Sequence, residues 1–178
     1  MRVFITGTGR CGTVSIATAF KHATNYKVTH ELKNPKLEFP DNSIAVNPQF
    51  RVRLDLPLIY PNALFIRMNR SFDKTAMSYA NLDSGNYINK WRDFYDKILT
   101  ENPLDNARIL VTQMNIQLDR FFELCKNKEI VNLENIKVDF VKIWNIIGAK
   151  GNLNKALEVF NTPLNTTEQR NGSANCLR

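Results

Sequence analysis

The sequence predicts a three-layer α/β domain built on a central, mainly parallel sheet of about four to five strands. Three observations lead there. The chain starts with a short apolar run, Val3-Phe4-Ile5, then a glycine-rich turn, a helical stretch and a second short strand, Lys27 to His30. Strand, helix, strand is the βαβ unit, which pairs strands in parallel through a right-handed crossover. Further short apolar runs (Ser43 to Val46, Ala63 to Met68, Lys128 to Leu133) are set apart by amphipathic helical stretches. Finally, 178 residues with 43% hydrophobic and 23% charged content suit one domain, residues 1–178, burying roughly 70% of its unfolded surface.

Taken in order, Arg2 to Thr6 is the first strand and Val14 to Phe20 the first helix, with Val14, Ile16, Ala17 and Phe20 available for packing. Leu32 to Asn42 carries two prolines and no period, so it reads as a loop. Phe50 to Ile59 alternates apolar and charged residues. Pro57 and the turn Tyr60-Pro61-Asn62 interrupt it, and a short helix leading into the core strand Ala63 to Met68 is expected. Ser71 is an N-cap for a helix over Lys74 to Leu82. Asp83 to Asn86 is a turn. Tyr87 to Leu99 is helical, with Ile88, Trp91, Phe94, Tyr95 and Ile98 on one face, read as core rather than as a platform for bases. Asn102-Pro103 breaks the chain before a long amphipathic helix, Leu104 to Lys126, in which Leu110, Met114, Leu118, Phe121, Phe122 and Cys125 keep the helical period. After the last strand come a helix over Val138 to Ile147, stopped at Gly148, a short helix over Asn152 to Phe160, and a polar tail, 161–178. There are no internal repeats and no linker to a second domain.

Composition excludes several function classes. No apolar run approaches the ~20 residues of a membrane span, and the N-terminus lacks the pattern of a secretory signal, so no membrane association and a cytoplasmic location are expected. Three cysteines (Cys11, Cys125, Cys176) and two histidines (His22, His30) form no ligand cluster, so neither a metal site nor a disulfide framework is expected. The net charge of +7 suits anionic ligands. Its basic residues are scattered rather than run together, which favours a polyanionic cofactor or an acidic substrate over specific nucleic-acid binding.

The turn itself, Gly7-Thr8-Gly9-Arg10-Cys11-Gly12-Thr13, is an anion cradle. Convergent backbone N–H groups and the helix dipole attract negative charge, Arg10 adds a charged fork and Thr13 a hydroxyl. A plain tight turn is the competing reading. Cys11 reads as a small loop-filling residue. A nucleophile, its pKa lowered by the dipole and Arg10, is the other possibility. Gly7 and Gly12 occupy the two glycine positions of a Walker loop, but Thr13 stands where its lysine belongs, which argues against γ-phosphate chemistry.

A loop with a basic residue inside it followed by Gly-Thr resembles the 5′-phosphosulfate loop of sulfotransferases, which move a sulfuryl group from 3′-phosphoadenosine 5′-phosphosulfate (PAPS). The resemblance implies a P-loop-like sulfotransferase fold and a donor site at Gly7, Thr8, Gly9, Arg10, Cys11, Gly12, Thr13 and Val14, in which the N–H groups from Gly9 to Thr13 take the 5′-phosphate. Arg70 at a strand end with Ser78 eight residues later resembles the family's 3′-phosphate segment, although Ser71-Phe72 replaces its usual Asn-Pro or Asp-Pro. Arg67 is the competing arginine, read as an internal pairing residue. Leu133-Glu134-Asn135 loosely resembles a late Glu-Asp-Leu-like signature. Glu134 also allows a Walker B reading, without the expected Asp. Arg170 and Gly172 resemble the Arg-x-Gly segment that closes over the 3′-phosphate.

On this resemblance Arg10 stabilises charge on the sulfuryl group, and His30 or Glu31, at the end of the second strand and near the loop, takes the acceptor's proton. Adjacent strand residues face opposite ways, so one of the two faces the donor. Glu31 is the expected base, with His30 lining the pocket. The acceptor is a hydroxyl or amine on a small molecule or carbohydrate, and no metal is required. A P-loop nucleotide-dependent kinase and a non-catalytic polyanion binder are the alternatives.

Overall fold

The computed structural model describes residues 1–31, 38–82, 88, 100–162 and 164. Five strands, β1 (Arg2–Gly7), β2 (Lys27–His30), β3 (Ser43–Val46), β4 (Leu64–Asn69) and β5 (Asn127–Asn132), form one sheet. Its order is β2-β3-β1-β4-β5 and every pairing is parallel. Among the described residues the named helices are α1 (Thr13–Phe20), α2 (Leu56–Ile59), α3 (Phe72–Ala80), α4 (Pro103–Glu123), α5 (Ile136–Ile146) and α6 (Leu153–Glu158). Short 3₁₀ turns occupy Pro48–Val52, Leu133–Asn135 and Val159–Asn161.

The sheet separates two cores because neighbouring residues of a strand point to opposite faces. On one face Val3, Ile5, Ile44, Val46, Ile66, Met68 and Val131 meet α1 and α5, with Phe20 against Phe140 at 4.6 Å between ring centres. On the other, Phe4, Ala45 and Phe65 meet Phe50, Leu56 and the Leu118–Phe122 end of α4. Phe4 touches four rings there, with Phe39 edge-on at 4.9 Å and Phe65 stacked at 5.3 Å. Strands packed on both faces need continuous apolar runs, and the inner strands have them. β2 and β5, at the edges, are more exposed.

The expected elements fall within a few residues of the observed ones. The ambiguous Phe50 to Ile59 stretch is a 3₁₀ turn followed by α2, as its prolines imply. Asn102-Pro103 is a helix start rather than only a break. Asn102 accepts the Leu104 N–H at 2.9 Å, and Pro103 takes the first position, where a missing N–H costs nothing. Of the expected loop at Leu32 to Asn42, residues 32–37 lie outside the described residues. So do the turn at 83–86, all of the helix at 87–99 except Ile88, and the tail beyond 164. Ile88 is buried between α3 and α4. Among the described residues no helix is long and apolar enough to cross a membrane.

One feature of the sheet departs from expectation. β3 lies between β1 and β2, so the first βαβ unit crosses over a strand rather than joining neighbours. From β1 the chain runs out to one edge, returns through β3, then crosses to β4 on the far side. β1 is therefore the point where strand order reverses, and ligands in open parallel sheets bind outside the carboxyl ends of such strands.

Candidate functional site

Gly7 ends β1, paired in register with Met68 of β4. A Cβ at Gly7 would lie 2.8 Å from the Met68 carbonyl oxygen and 2.5 Å from Cys11 Sγ, so only glycine fits between strand and loop. The chain then turns through left-handed backbone at Gly9 (φ 77°), Arg10 (φ 54°) and Gly12 (φ 87°). Glycine adopts that region freely, whereas for Arg10 it is an uncommon conformation held by its surroundings. Gly12 caps α1 without a side chain, and the first intrahelical bond is Ile16 N–H to the Gly12 carbonyl at 3.0 Å. The N–H groups of Thr13, Val14 and Ser15 thus have no intrahelical acceptor. Among the described helices of six residues or more, α1 alone has neither a capping side chain nor an acidic residue in its first turn. No side chain of its own first turn offsets the partial positive charge at its start.

Three consecutive carbonyls of the turn each accept a side-chain hydrogen bond. Tyr79 Oη donates to the Thr8 carbonyl at 2.7 Å, Thr8 Oγ1 to the Gly9 carbonyl at 2.9 Å, and Arg70 Nη1 to the Arg10 carbonyl at 2.8 Å. Arg10 Nε donates to Ser78 Oγ at 3.0 Å. The two predicted segments, about sixty residues apart in the chain, therefore meet at the end of β1: Arg10 from the loop, Arg70 from the end of β4 and Ser78 from α3. Arg67 turns the other way and bonds Asn69, Asn115 and Asp119, the internal pairing role expected of it.

Cys11 differs from its nucleophile reading. Its thiol is fully buried under the loop, and desolvation pushes its pKa up. The Gly9 and Cys11 N–H groups, the Thr8 hydroxyl and the more distant Arg70 charge offset only part of that. The side chain fills the loop from inside, consistent with its size-filling reading. The Thr13 side chain is likewise buried.

His30 and Glu31 are not on a neighbouring strand. With β3 interposed they lie two strand spacings from β1, about 9–10 Å across the sheet. His30 is in register with Val46, which belongs to the α1 side of the core. Glu31 follows the strand with left-handed backbone (φ 48°), and its carboxylate is 3.8 Å from His30 Nε2. The sequence placed the pair near the loop because nothing in it signals that Ser43 to Val46 inserts between the first two strands. Arg170 and Gly172 lie outside the described residues.

Two residues of the Leu133-Glu134-Asn135 turn belong to the site. Leu133 covers Gly12, where an added Cβ would lie 2.7 Å from its Cδ1. Glu134 accepts the Ser71 N–H at 3.0 Å and so caps α3 from another element, while the Ser71 side chain makes no cap. That N–H, helped by the Lys74 and Arg70 charges, holds the Glu134 carboxyl below its usual value. A carboxyl lowered in the fold stabilises it above the unfolded value of about 4.3 and loses that contribution as pH falls through the folded value. The wild type should therefore lose Tm more steeply than Glu134→Gln on acidification below pH ~4.3. The difference should stay under about 1 kcal/mol because the group is exposed.

Comparison with known proteins finds no matching family model and no matching curated protein. The site stands on its own geometry. Among the described residues no group of three His, Cys, Asp or Glu side chains is placed to hold a metal ion. Sequence reasoning missed Tyr79. It sits beside Ser78 and is buried, so by pattern it is a core aromatic, and only the fold reveals that its hydroxyl reaches the loop.

Proposed function

We propose that the protein is a PAPS-dependent sulfotransferase acting on a hydroxyl or amine of a small-molecule or carbohydrate acceptor, with a P-loop-like sulfotransferase fold. The meeting of Arg10, Arg70 and Ser78 around an uncapped helix start carries this reading. One basic cluster then serves both ends of a donor with phosphates at its 5′ and 3′ positions. A γ-phosphate transferase would want a lysine where Thr13 stands. A non-specific polyanion binder would need no loop with three consecutive carbonyls each held by a side-chain donor.

In this reading the start of α1 and the loop N–H groups hold the 5′-phosphate, and Ser78 and Arg70 hold the 3′-phosphate. Arg70 spends one N–H on the loop and has others to give. PAPS supplies the sulfuryl group. Arg10 places its guanidinium charge where negative charge grows as the acceptor's S–O bond forms and the bridging S–O bond breaks. The acceptor's proton goes to the Glu31–His30 pair, with the acceptor lying across the end of β3 to span the gap between β1 and β2. Protonated His30 would in turn be stabilised by the adjacent carboxylate. The test is nucleotide preference: 3′-phosphoadenosine 5′-phosphate (PAP) should bind without magnesium and ahead of ADP and ATP. Equal binding of PAP and ADP would contradict the assignment.

A further inference from the structure

We propose that Tyr79 is a positioning residue for the loop, one that holds it ready for an anion before any anion arrives. This deepens the donor-site reading above and rests on it. Carbonyl oxygens facing a bound phosphate repel it, and a short turn in left-handed backbone can present either its N–H or its C=O groups to the same point by rotating peptide planes. Here three consecutive carbonyls each have a donor: Thr8 from Tyr79, Gly9 from the Thr8 hydroxyl, Arg10 from Arg70. With the carbonyls held back, the loop's rotation is stopped and the start of α1 stays open to the ligand. Tyr79 sets the first of these planes. Its ring is buried between α3 and α4 while its oxygen reaches across to β1's end, and a Cβ on Gly9 would collide with that oxygen. Preorganisation of this kind raises affinity by removing the ordering cost from binding. It acts on whatever fills the 5′ end and is indifferent to the 3′-phosphate.

The test is Tyr79→Phe, which deletes one oxygen and keeps the buried ring. Calorimetry with inorganic pyrophosphate, PAP and ADP should show all three weakened about tenfold, with the preference of PAP over ADP unchanged. A merely structural loss would lower Tm without this pattern. Unchanged pyrophosphate affinity, or a loss confined to PAP, would overturn the proposal. Gly9→Ala, whose methyl displaces the same hydroxyl, gives a second route and should also weaken pyrophosphate; unchanged affinity there would overturn it too. A wild type that binds pyrophosphate more tightly than Tyr79→Phe does, yet shows no preference for PAP over ADP, would leave Tyr79's role standing and remove the PAPS reading. A wild type that binds none of the three would overturn both.

Discussion

Under the proposed sulfotransferase function, Arg10→Ala should lower the rate of sulfuryl transfer from PAPS about 10²–10³-fold, read as PAP formation, with a smaller effect on the donor's KM. Removing one preorganised donor aimed at developing charge costs this much in enzymes whose transition states are stabilised electrostatically. Arg10 is placed for that role by strained backbone (φ 54°), by the Arg70 bond to its carbonyl, and by its own bond to Ser78. Lysine and alanine bear the same backbone burden at this position. Arg10→Lys, which restores charge without the planar fork, should recover part of the rate, so the gap between the two variants reports charge rather than strain. Equal rates for Arg10→Ala and wild type would remove Arg10 from the chemistry.

Gly7→Ala should destabilise the fold by about 3 kcal/mol, which corresponds to a Tm lower by roughly 6–12 °C in a domain of this size. The added methyl has nowhere to go. It meets the Met68 backbone on one side and Cys11 Sγ on the other, and neither is the free end of a flexible chain. Either the β1–β4 pairing opens or Cys11 is expelled from the loop, and both damage the site. Gly148 is the control, since it has left-handed backbone (φ 62°) but open space around it. Gly148→Ala should cost only its conformational strain, about 1 kcal/mol. Thermal unfolding of the two variants separates crowding from strain. Equal losses would mean that packing at Gly7 is looser than its distances imply.

Much of this architecture was legible from local pattern. β1, the loop and α1 follow from an apolar triplet, clustered glycines and a helical stretch, and the structure places them within a residue of expectation. Arg70 and Ser78 were singled out only by resemblance to a 3′-phosphate segment, and that both reach Arg10 is visible in the fold alone. Strand order was not legible. Ser43 to Val46 is a strand by its apolar run, but no residue in it encodes that it slots between β1 and β2, and this displaced His30 and Glu31 from the loop. Cys11 was read as filling the loop, and its buried thiol agrees with that reading rather than with the nucleophile alternative. Tyr79 was hidden because a buried aromatic on an amphipathic helix looks complete without its hydroxyl. Glu134 reads from sequence as an ordinary acidic strand end. Its use as a cap for α3 depends on β4 and β5 being neighbours, with Asn69 in register with Asn132.

The most direct measurement of the central claim is calorimetric titration of the wild type and Arg70→Ala with PAP, ADP and ATP, with and without magnesium. The account predicts magnesium-independent binding that favours PAP, and a preference for the 3′-phosphate that collapses in Arg70→Ala. Binding that ignores the 3′-phosphate, or that requires magnesium and favours ATP, would contradict it.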